Sequence, residues 1–375
     1  MKILFACGGT AGHINPALSV ADSLCSRHPA TEVLFVGNPD GMEATLIPKA
    51  GYPFAPVKIA GIQRKLSVEN IKRNIRALYL LAKSGSRAAK IIRDFGPDIV
   101  MGTGGYVSGP IVRKAHQMGI KTITHEQNAF PGVTTKLLAP DVDRLLLAMP
   151  DAQKYLHLKN TSKVSVTGNP VREAIFSADR ELSRTQLGVE NRICILSFGG
   201  SLGARKVNEA IAQVMQWHHN SGKIHHIHAT GSYDHRDFLE MLQKKQISLK
   251  AHPHLDVRAY IDNMPTCLAA ADLVICRAGA ITLSELQCAG SASILIPSPN
   301  VAENHQYHNA MALVAHHAAE ILEEKNLTGE SLIRMLEKLT EDKSRLVSLG
   351  QAAHSMAIKD ANVRIIKEIL SLASE

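Results

Sequence analysis

A chain of 375 residues with 45% apolar and 20% charged residues exceeds the size at which one hydrophobic core stops growing, so two domains are expected in a soluble globular protein free of low-complexity or repeat segments. The net charge of +8 is local: residues 58 to 93 hold ten Lys or Arg against the single acid Glu69, a balance of +9 that leaves −1 for the remainder. No apolar run approaches the ~20 residues that span a bilayer, and the six cysteines lack Cys-x-x-Cys or zinc spacing, so they read as reduced core residues of a cytosolic protein.

From the start of the chain, Lys2, Ile3, Leu4 and Phe5 run into Gly8 and Gly9, a buried strand with its turn rather than a signal sequence. Short Val- and Ile-rich runs then alternate with segments of helical period, the pattern of a parallel sheet covered by helices. Strands are predicted near 2 to 8, 32 to 37, 98 to 102, 120 to 125, 143 to 149 and 163 to 167. After the turn-forming Thr167-Gly168-Asn169-Pro170, a second series is predicted near 193 to 198, 224 to 230, 256 to 261, 273 to 277 and 293 to 297. The expectation is an α/β chain of two doubly wound, Rossmann-like domains facing across a cleft, spanning 1–167 and 168–354. The segment from about 343 to 372 reads as continuously helical, with a last helix at about 355–375 packing back on the first domain.

Open parallel sheets bind ligands beyond the carboxyl ends of their strands, and glycine clusters fall at three such ends: Gly8-Gly9-Thr10-Ala11-Gly12-His13, Gly102-Thr103-Gly104-Gly105-Tyr106 and Gly199-Gly200-Ser201-Leu202-Gly203-Ala204. Glycine lets backbone N–H groups approach an anion, and a following helix N-terminus adds a favourable field. Tight strand-to-helix turns also need glycine for structural reasons, so it is the set of three that points to a ligand. None fits the dinucleotide fingerprint, and no P-loop sequence occurs, which disfavours an NAD enzyme and, more strongly, a P-loop ATPase.

Three polar stretches accompany the glycines. His125-Glu126-Gln127-Asn128 ends an apolar strand, where four polar residues are costly unless they face a cavity. Arg277 to Glu285 repeats strand, glycine turn and helix; Glu285 is a helix-dipole partner or a carboxylate for two vicinal hydroxyls. Pro297-Ser298-Pro299-Asn300, then Glu303 to Tyr307, makes a rigid loop whose amide side chains suit sugar hydroxyls. Asp141-Val142-Asp143 matches the acidic pair of metal-dependent glycosyltransferases but reads as a turn, and without clustered carboxylates nearby no metal site is expected. The 18 histidines are expected mostly at the surface, with His218-His219 and His316-His317 on helices.

The stretches GGTAGHINPA, GTGGYVSGP, HEQNAFPGVTTK, TGNPVR, FGGSLGA, RAGAITLSE and IPSPNVAENHQYHNA, in order between Gly8 and Ala310, closely resemble the MurG family, UDP-N-acetylglucosamine transferases that make lipid II from lipid I. The resemblance implies a GT-B fold and an inverting, metal-independent transfer without a cofactor, forming a β-1,4 linkage. It implies that the second domain holds the UDP-sugar: Ile261, following Tyr260, at the uracil edge; Glu285 at the ribose; and Ser201, Arg172 and the turn Ala280, Ile281, Thr282, Leu283 and Ser284 at the diphosphate. Gln306 and Asn128 would contact the sugar, Thr10, Ala11, Gly12 and His13 would close over the donor, and Gly104, Gly105 and Tyr106 would take the acceptor diphosphate. Ala11 stands where the family often has glycine, and His305 where some members have glutamine.

An inverting transfer needs a base at the acceptor hydroxyl and compensation for charge on the leaving UDP. His13 is favoured as the base, its ordinary pKa of ~6.5 lying near operating pH; Glu126 competes and His125 is third. The acceptor is lipid-borne, so a peripheral site on the cytoplasmic face of the membrane is expected. Residues 65 to 83 carry an apolar stripe including Ile75 and Leu78 beside the basic stripe Lys65, Lys72, Arg76 and Lys83, suited to an anionic surface unless it faces the core. A related transferase with another lipid acceptor, a nucleotide-sugar sensor and a nucleic-acid-binding module are rival readings; the last lacks a base-reading motif or stacking aromatics.

Overall fold

The computed structural model describes residues 1–59 and 84–375; the stripe at Lys65, Lys72, Ile75, Arg76, Leu78 and Lys83 lies outside the described residues. The chain divides into two compact units, Met1–Pro170 with Asp360–Glu375, and Val171–Lys359.

The first unit contains a parallel sheet of β1 (Lys2–Cys7), β2 (Glu32–Gly37), β3 (Phe54–Pro56), β4 (Ile99–Gly104), β5 (Lys121–Glu126), β6 (Arg144–Leu147) and β7 (Val164–Val166), in the order β3-β2-β1-β4-β5-β6-β7. Strand alternation sends Ile3, Phe5 and Cys7 to one face, where they pack with Ile14, Val20 and Leu24 of helix Ala11–Arg27. Leu4 and Ala6 point the other way, against Ile91, Ile92, Ile111 and Val112. Ile365, Ile366, Ile369 and Leu372 of the last helix, Ala361–Ser374, join the first of these clusters.

The second unit repeats the plan with β8 (Ile193–Phe198), β9 (Ile224–Ala229), β10 (Leu255–Arg258), β11 (Leu273–Cys276), β12 (Ser293–Leu295) and β13 (Glu320–Ile321), in the order β10-β9-β8-β11-β12-β13. Ile195, Leu273, Ile275 and Ile294 pack with Val207, Ile211, Met215, Leu332 and Leu336 from the covering helices.

Several expectations are corrected. Two short edge strands, β3 and β13, were not anticipated; three and two residues long, they carry too few side chains to show a period. Strand β4 runs on through Gly102 to Gly104, and glycine at 102 makes room for the covering helix, since a Cβ there would lie 2.2 Å from the Ser108 hydroxyl. The helix expected over 343 to 372 is two, Lys343–Ser355 and Ala361–Ser374, parted where the chain passes from one compact unit to the other at Lys359/Asp360.

Most histidines lie outside the buried core, as expected, but the helix placements and one buried group differ from expectation. His316 and His317 lie in a turn after helix His305–Val314, and His218 is the last residue of its helix. His218, His226 and His228 are buried around the Ser197 hydroxyl, which is 2.8 Å from His226 Nε2 and 2.8 Å from His228 Nδ1, while His218 Nε2 is 3.0 Å from His226 Nδ1. Burial pushes His218 down to about 4 and His228 to about 3, so these rings are neutral hydrogen-bonding core residues near neutral pH.

Candidate active site

In each sheet the strand order reverses once, between β1 and β4 and between β8 and β11, and the glycine loops leave those four strands. Such a switch point opens a crevice where neighbouring loops turn opposite ways.

In the first unit the two loops touch: a Cβ on Gly105 would sit 2.2 Å from the Gly8 carbonyl oxygen. Thr10, in extended backbone, precedes the helix whose first turn holds Ala11, Gly12 and His13. Ala11 is not among the residues with positive φ, so the backbone at this position does not demand a glycine. His13 Nδ1 lies 3.1 Å from Gly8 O and 3.3 Å from Thr10 Oγ1. A carbonyl only accepts, so Nδ1 carries the proton; in the neutral ring this tautomer has its lone pair on Nε2, the form a base requires. Across from it, a Cβ on Gly104 would meet the ring, 3.1 Å from Nε2. Thr103 Oγ1 donates to the His13 carbonyl at 2.8 Å, and Tyr106 OH accepts from Asn38 Nδ2 at 3.1 Å.

The end of β5 is turned into its own fold. Glu126, buried, accepts from Asn128 N–H and Asn128 Nδ2 at 3.0 Å each, from Gly132 N–H at 3.0 Å and from Thr135 Oγ1 at 2.5 Å. With both oxygens occupied it orders the loop 127–135 and orients the Asn128 amide. His125 is buried, with Nε2 3.0 Å from Gly168 O and Nδ1 3.0 Å from Gln127 Nε2; desolvation lowers its pKa, against the pull of Gly168 and Glu126. Asp143 accepts from Thr122 N–H at 2.7 Å and Thr122 Oγ1 at 2.8 Å, so its carboxylate ties the start of β6 to the neighbouring strand β5 rather than closing a local turn. Among the described residues no group of three or more His, Cys, Asp or Glu is arranged to hold a metal ion.

In the second unit, Ser201 is exposed on the loop after β8, where Gly200 has φ 101°. Gly203 is required by close approach: a Cβ there would lie 2.4 Å from Thr230 O. Facing the switch point from β11, helix Ala280–Ala289 begins after Gly279, so N–H groups at Ala280, Ile281 and Thr282 point out of its first turn, followed by Leu283 and Ser284. Glu285 follows on the second turn, 3.7 Å from the Arg172 guanidinium, with side-chain exposures of 17% and 60%. Burial raises the Glu285 pKa, and Arg172 pulls it back in part. Ile261 is buried after the exposed Tyr260. Gln306 accepts from Ser298 N–H through Oε1 at 2.9 Å, which fixes the amide orientation. Glu303 and Asn304, just before it, are both in left-handed backbone, with φ of 55° and 52°, a conformation disfavoured for non-glycine residues and concentrated at ligand sites.

Four supports were not foreseen from sequence. Asn309, buried, donates to Ala278 O at 3.2 Å, tying the turn after β11 to helix His305–Val314. Arg277 pairs with Glu324 and donates to Ile296 O at 3.2 Å and Pro297 O at 3.3 Å, clamping the loop that precedes Gln306. Thr103 and Glu43 do the same for the first glycine loop. Glu43 opens a helix and looks like a dipole partner; the only hint of its burial is that Gly37 and Gly41 flank it.

Profiles of the glycosyltransferase family 28 N-terminal and C-terminal domains match residues 3–147 and 194–365. A UDP-N-acetylglucosamine–N-acetylmuramyl-(pentapeptide) pyrophosphoryl-undecaprenol N-acetylglucosamine transferase from Acetivibrio thermocellus is 41% identical over 374 residues, 99% of this chain and 98% of the relative. The protein of that name from Clostridioides difficile is 38% identical over 373 residues, 99% of this chain and 89% of the relative. The crystal structure of Acinetobacter baumannii MurG superposes with a TM-score of 0.77 at 26% identity, covering 99% of both chains.

Proposed function

The chain belongs to the family of UDP-N-acetylglucosamine–N-acetylmuramyl-(pentapeptide) pyrophosphoryl-undecaprenol N-acetylglucosamine transferases within glycosyltransferase family 28, and on that premise we propose how its residues carry out the transfer. Its fold is GT-B, two Rossmann-like domains. The enzyme moves GlcNAc from UDP-GlcNAc to the MurNAc of lipid I, giving lipid II for peptidoglycan.

The MurNAc 4-hydroxyl attacks the anomeric carbon of GlcNAc from the face opposite UDP, inverting it. His13 Nε2 takes the hydroxyl proton as the new C–O bond forms, and the bond to UDP breaks with its electron pair leaving on the diphosphate. Arg172, the amides around Ser201 and the helix start at Ala280 to Thr282 meet that charge, so no metal is required. Glu285 accepts from the ribose hydroxyls, Ile261 meets the uracil edge, and Gln306 and Asn128 hold the sugar. Gly104, Gly105 and Tyr106 take the acceptor diphosphate.

The observation that carries the donor assignment is the Arg172–Glu285 pair at 3.7 Å, one partner suited to a diphosphate and the other to a diol. UDP release from UDP-GlcNAc is expected only when a lipid I analogue is added, to persist in EDTA, and to fall with Arg172→Ala. Absence of acceptor-dependent release overturns the reading.

The enzyme acts as a peripheral protein at the cytoplasmic face of the membrane. No described helix is long and apolar enough to cross a bilayer, and the basic stripe at Lys65, Lys72, Arg76 and Lys83 supplies attraction for anionic lipid.

A further inference from the structure

Glu43 is fully buried beneath the first glycine loop, yet it is not part of any binding surface assigned above. Its Oε2 accepts from Gly9 N–H at 3.1 Å and its Oε1 from Asn38 N–H at 2.9 Å. The site is shaped for this carboxylate: a Cβ on Gly8 would lie 2.2 Å from Oε1, and one on Gly41 would lie 2.4 Å from Oε2. The Gly8 carbonyl and the Gly9 N–H belong to one planar peptide unit and point in opposite directions. Glu43 grips the N–H side of that unit, and His13 Nδ1 is held 3.1 Å from the carbonyl side.

We propose that Glu43 is a positioning residue for the transfer, orienting His13 and its Nδ1–H tautomer through the Gly8–Gly9 peptide. A carboxylate on the N–H side polarises the peptide so that Gly8 O becomes a stronger acceptor for Nδ1–H, as hydrogen-bonded groups in series reinforce one another. The arrangement does what a carboxylate bonded directly to a histidine does, with one amide interposed. Asn38, bound to the other oxygen, reaches Tyr106 OH at 3.1 Å, so the same carboxylate also steadies the loop after β4.

This inference rests on His13 as the base, and the experiment separates the two. kcat and donor KM are measured for Glu43→Gln, His13→Ala and the double variant, with thermal melting to verify folding. Glu43→Gln is expected to lower kcat about 10- to 100-fold, the usual cost of losing a carboxylate that orients a working histidine, with donor KM unchanged. In the His13→Ala background the same change should cost nothing further. If His13→Ala leaves kcat intact, the base assignment falls. If His13→Ala is slow but Glu43→Gln leaves kcat unchanged, or lowers it equally in both backgrounds, the role of Glu43 is overturned. Should Glu43→Gln fail to fold, Gly41→Ala displaces the carboxylate by its added Cβ without a left-handed φ at residue 41; the same kcat loss at constant KM is expected, and an unchanged kcat refutes the proposal.

Discussion

Replacing Glu126 by glutamine separates proton acceptance from architecture. The carboxylate takes four donors from Asn128, Gly132 and Thr135. Glutamine keeps one carbonyl oxygen, which can still serve the backbone and side chain of Asn128. Its NH₂ then faces Gly132 N–H, donor against donor, while the Thr135 hydroxyl can rotate to accept. One buried N–H left unpaired costs about 1–3 kcal/mol, and the remaining bonds lose their charge assistance, so a total of roughly 2–4 kcal/mol is expected. At ~2–4 °C per kcal/mol for a unit of this size, the melting temperature of Glu126→Gln should fall by about 5–15 °C. Measured well below that transition, kcat should drop less than about tenfold, whereas His13→Ala removes a general base and should lose roughly 10²- to 10⁴-fold. Calorimetry with a UDP-release assay reads both quantities. A Glu126→Gln protein with an unchanged melting temperature and a kcat loss matching that of His13→Ala would make Glu126 the base and refute the reasoning.

Further outcomes are expected. Glu285→Gln should raise the KM for UDP-GlcNAc about 10- to 100-fold, the scale of a lost charge-assisted hydrogen bond; because burial raises the Glu285 pKa, the parent donor KM should climb as pH falls at values above an ordinary carboxylate pKa, and the variant should lack that rise, as KM–pH profiles will show. The neutral histidines His218 and His228, pushed to about 4 and about 3, protonate more readily unfolded than folded, so their contribution is complete above about pH 6.5 and is lost towards those lower values. Between pH 6.5 and 5 each removes about 2 kcal/mol, seen as a falling melting temperature that His218→Gln should flatten. Deleting residues 360–375 uncovers the apolar face that Ile365, Ile366, Ile369 and Leu372 cover, at about 1.5–3 kcal/mol each, comparable with the whole stability of a domain; soluble expression checks this. Charge reversal at Lys72 and Arg76 should weaken sedimentation with anionic vesicles at low salt, and unchanged binding would remove that stripe from the membrane role.

The sheets were legible because their central strands are near-continuous apolar runs, Ile3 to Cys7 and Ile193 to Phe198, set between helical periods. Their edges were not, since a two-residue strand such as Glu320–Ile321 has no pattern to read. The glycine clusters mark strand ends for a physical reason: Gly105 is demanded by its approach to the Gly8 backbone across the β1/β4 switch point, and Gly203 by its approach to Thr230 after β9. The buried polar supports stayed hidden. Glu43, Asn309 and the Arg277–Glu324 pair act across long stretches of sequence, and nothing local distinguishes a carboxylate that grips a distant peptide from one that faces water. The donors of Glu126 were equally hidden: the sequence shows four polar residues ending a strand, and only the fold shows that Asn128, Gly132 and Thr135 turn back onto the buried carboxylate.

The packing of helix Ala361–Ser374 on the sheet that begins at Lys2 bears on how the enzyme is made. On the ribosome, the opening sheet is finished long before the helix that covers part of one face. At 5–20 residues per second, roughly 10–40 s separate completion of its last strand from emergence of that cover. Through this interval the second unit, Val171–Lys359, is itself being made and has its whole sequence only at the end, while the first waits with greasy surface on show. Nascent chains stalled near residue 359 should therefore recruit chaperones through their amino-terminal half.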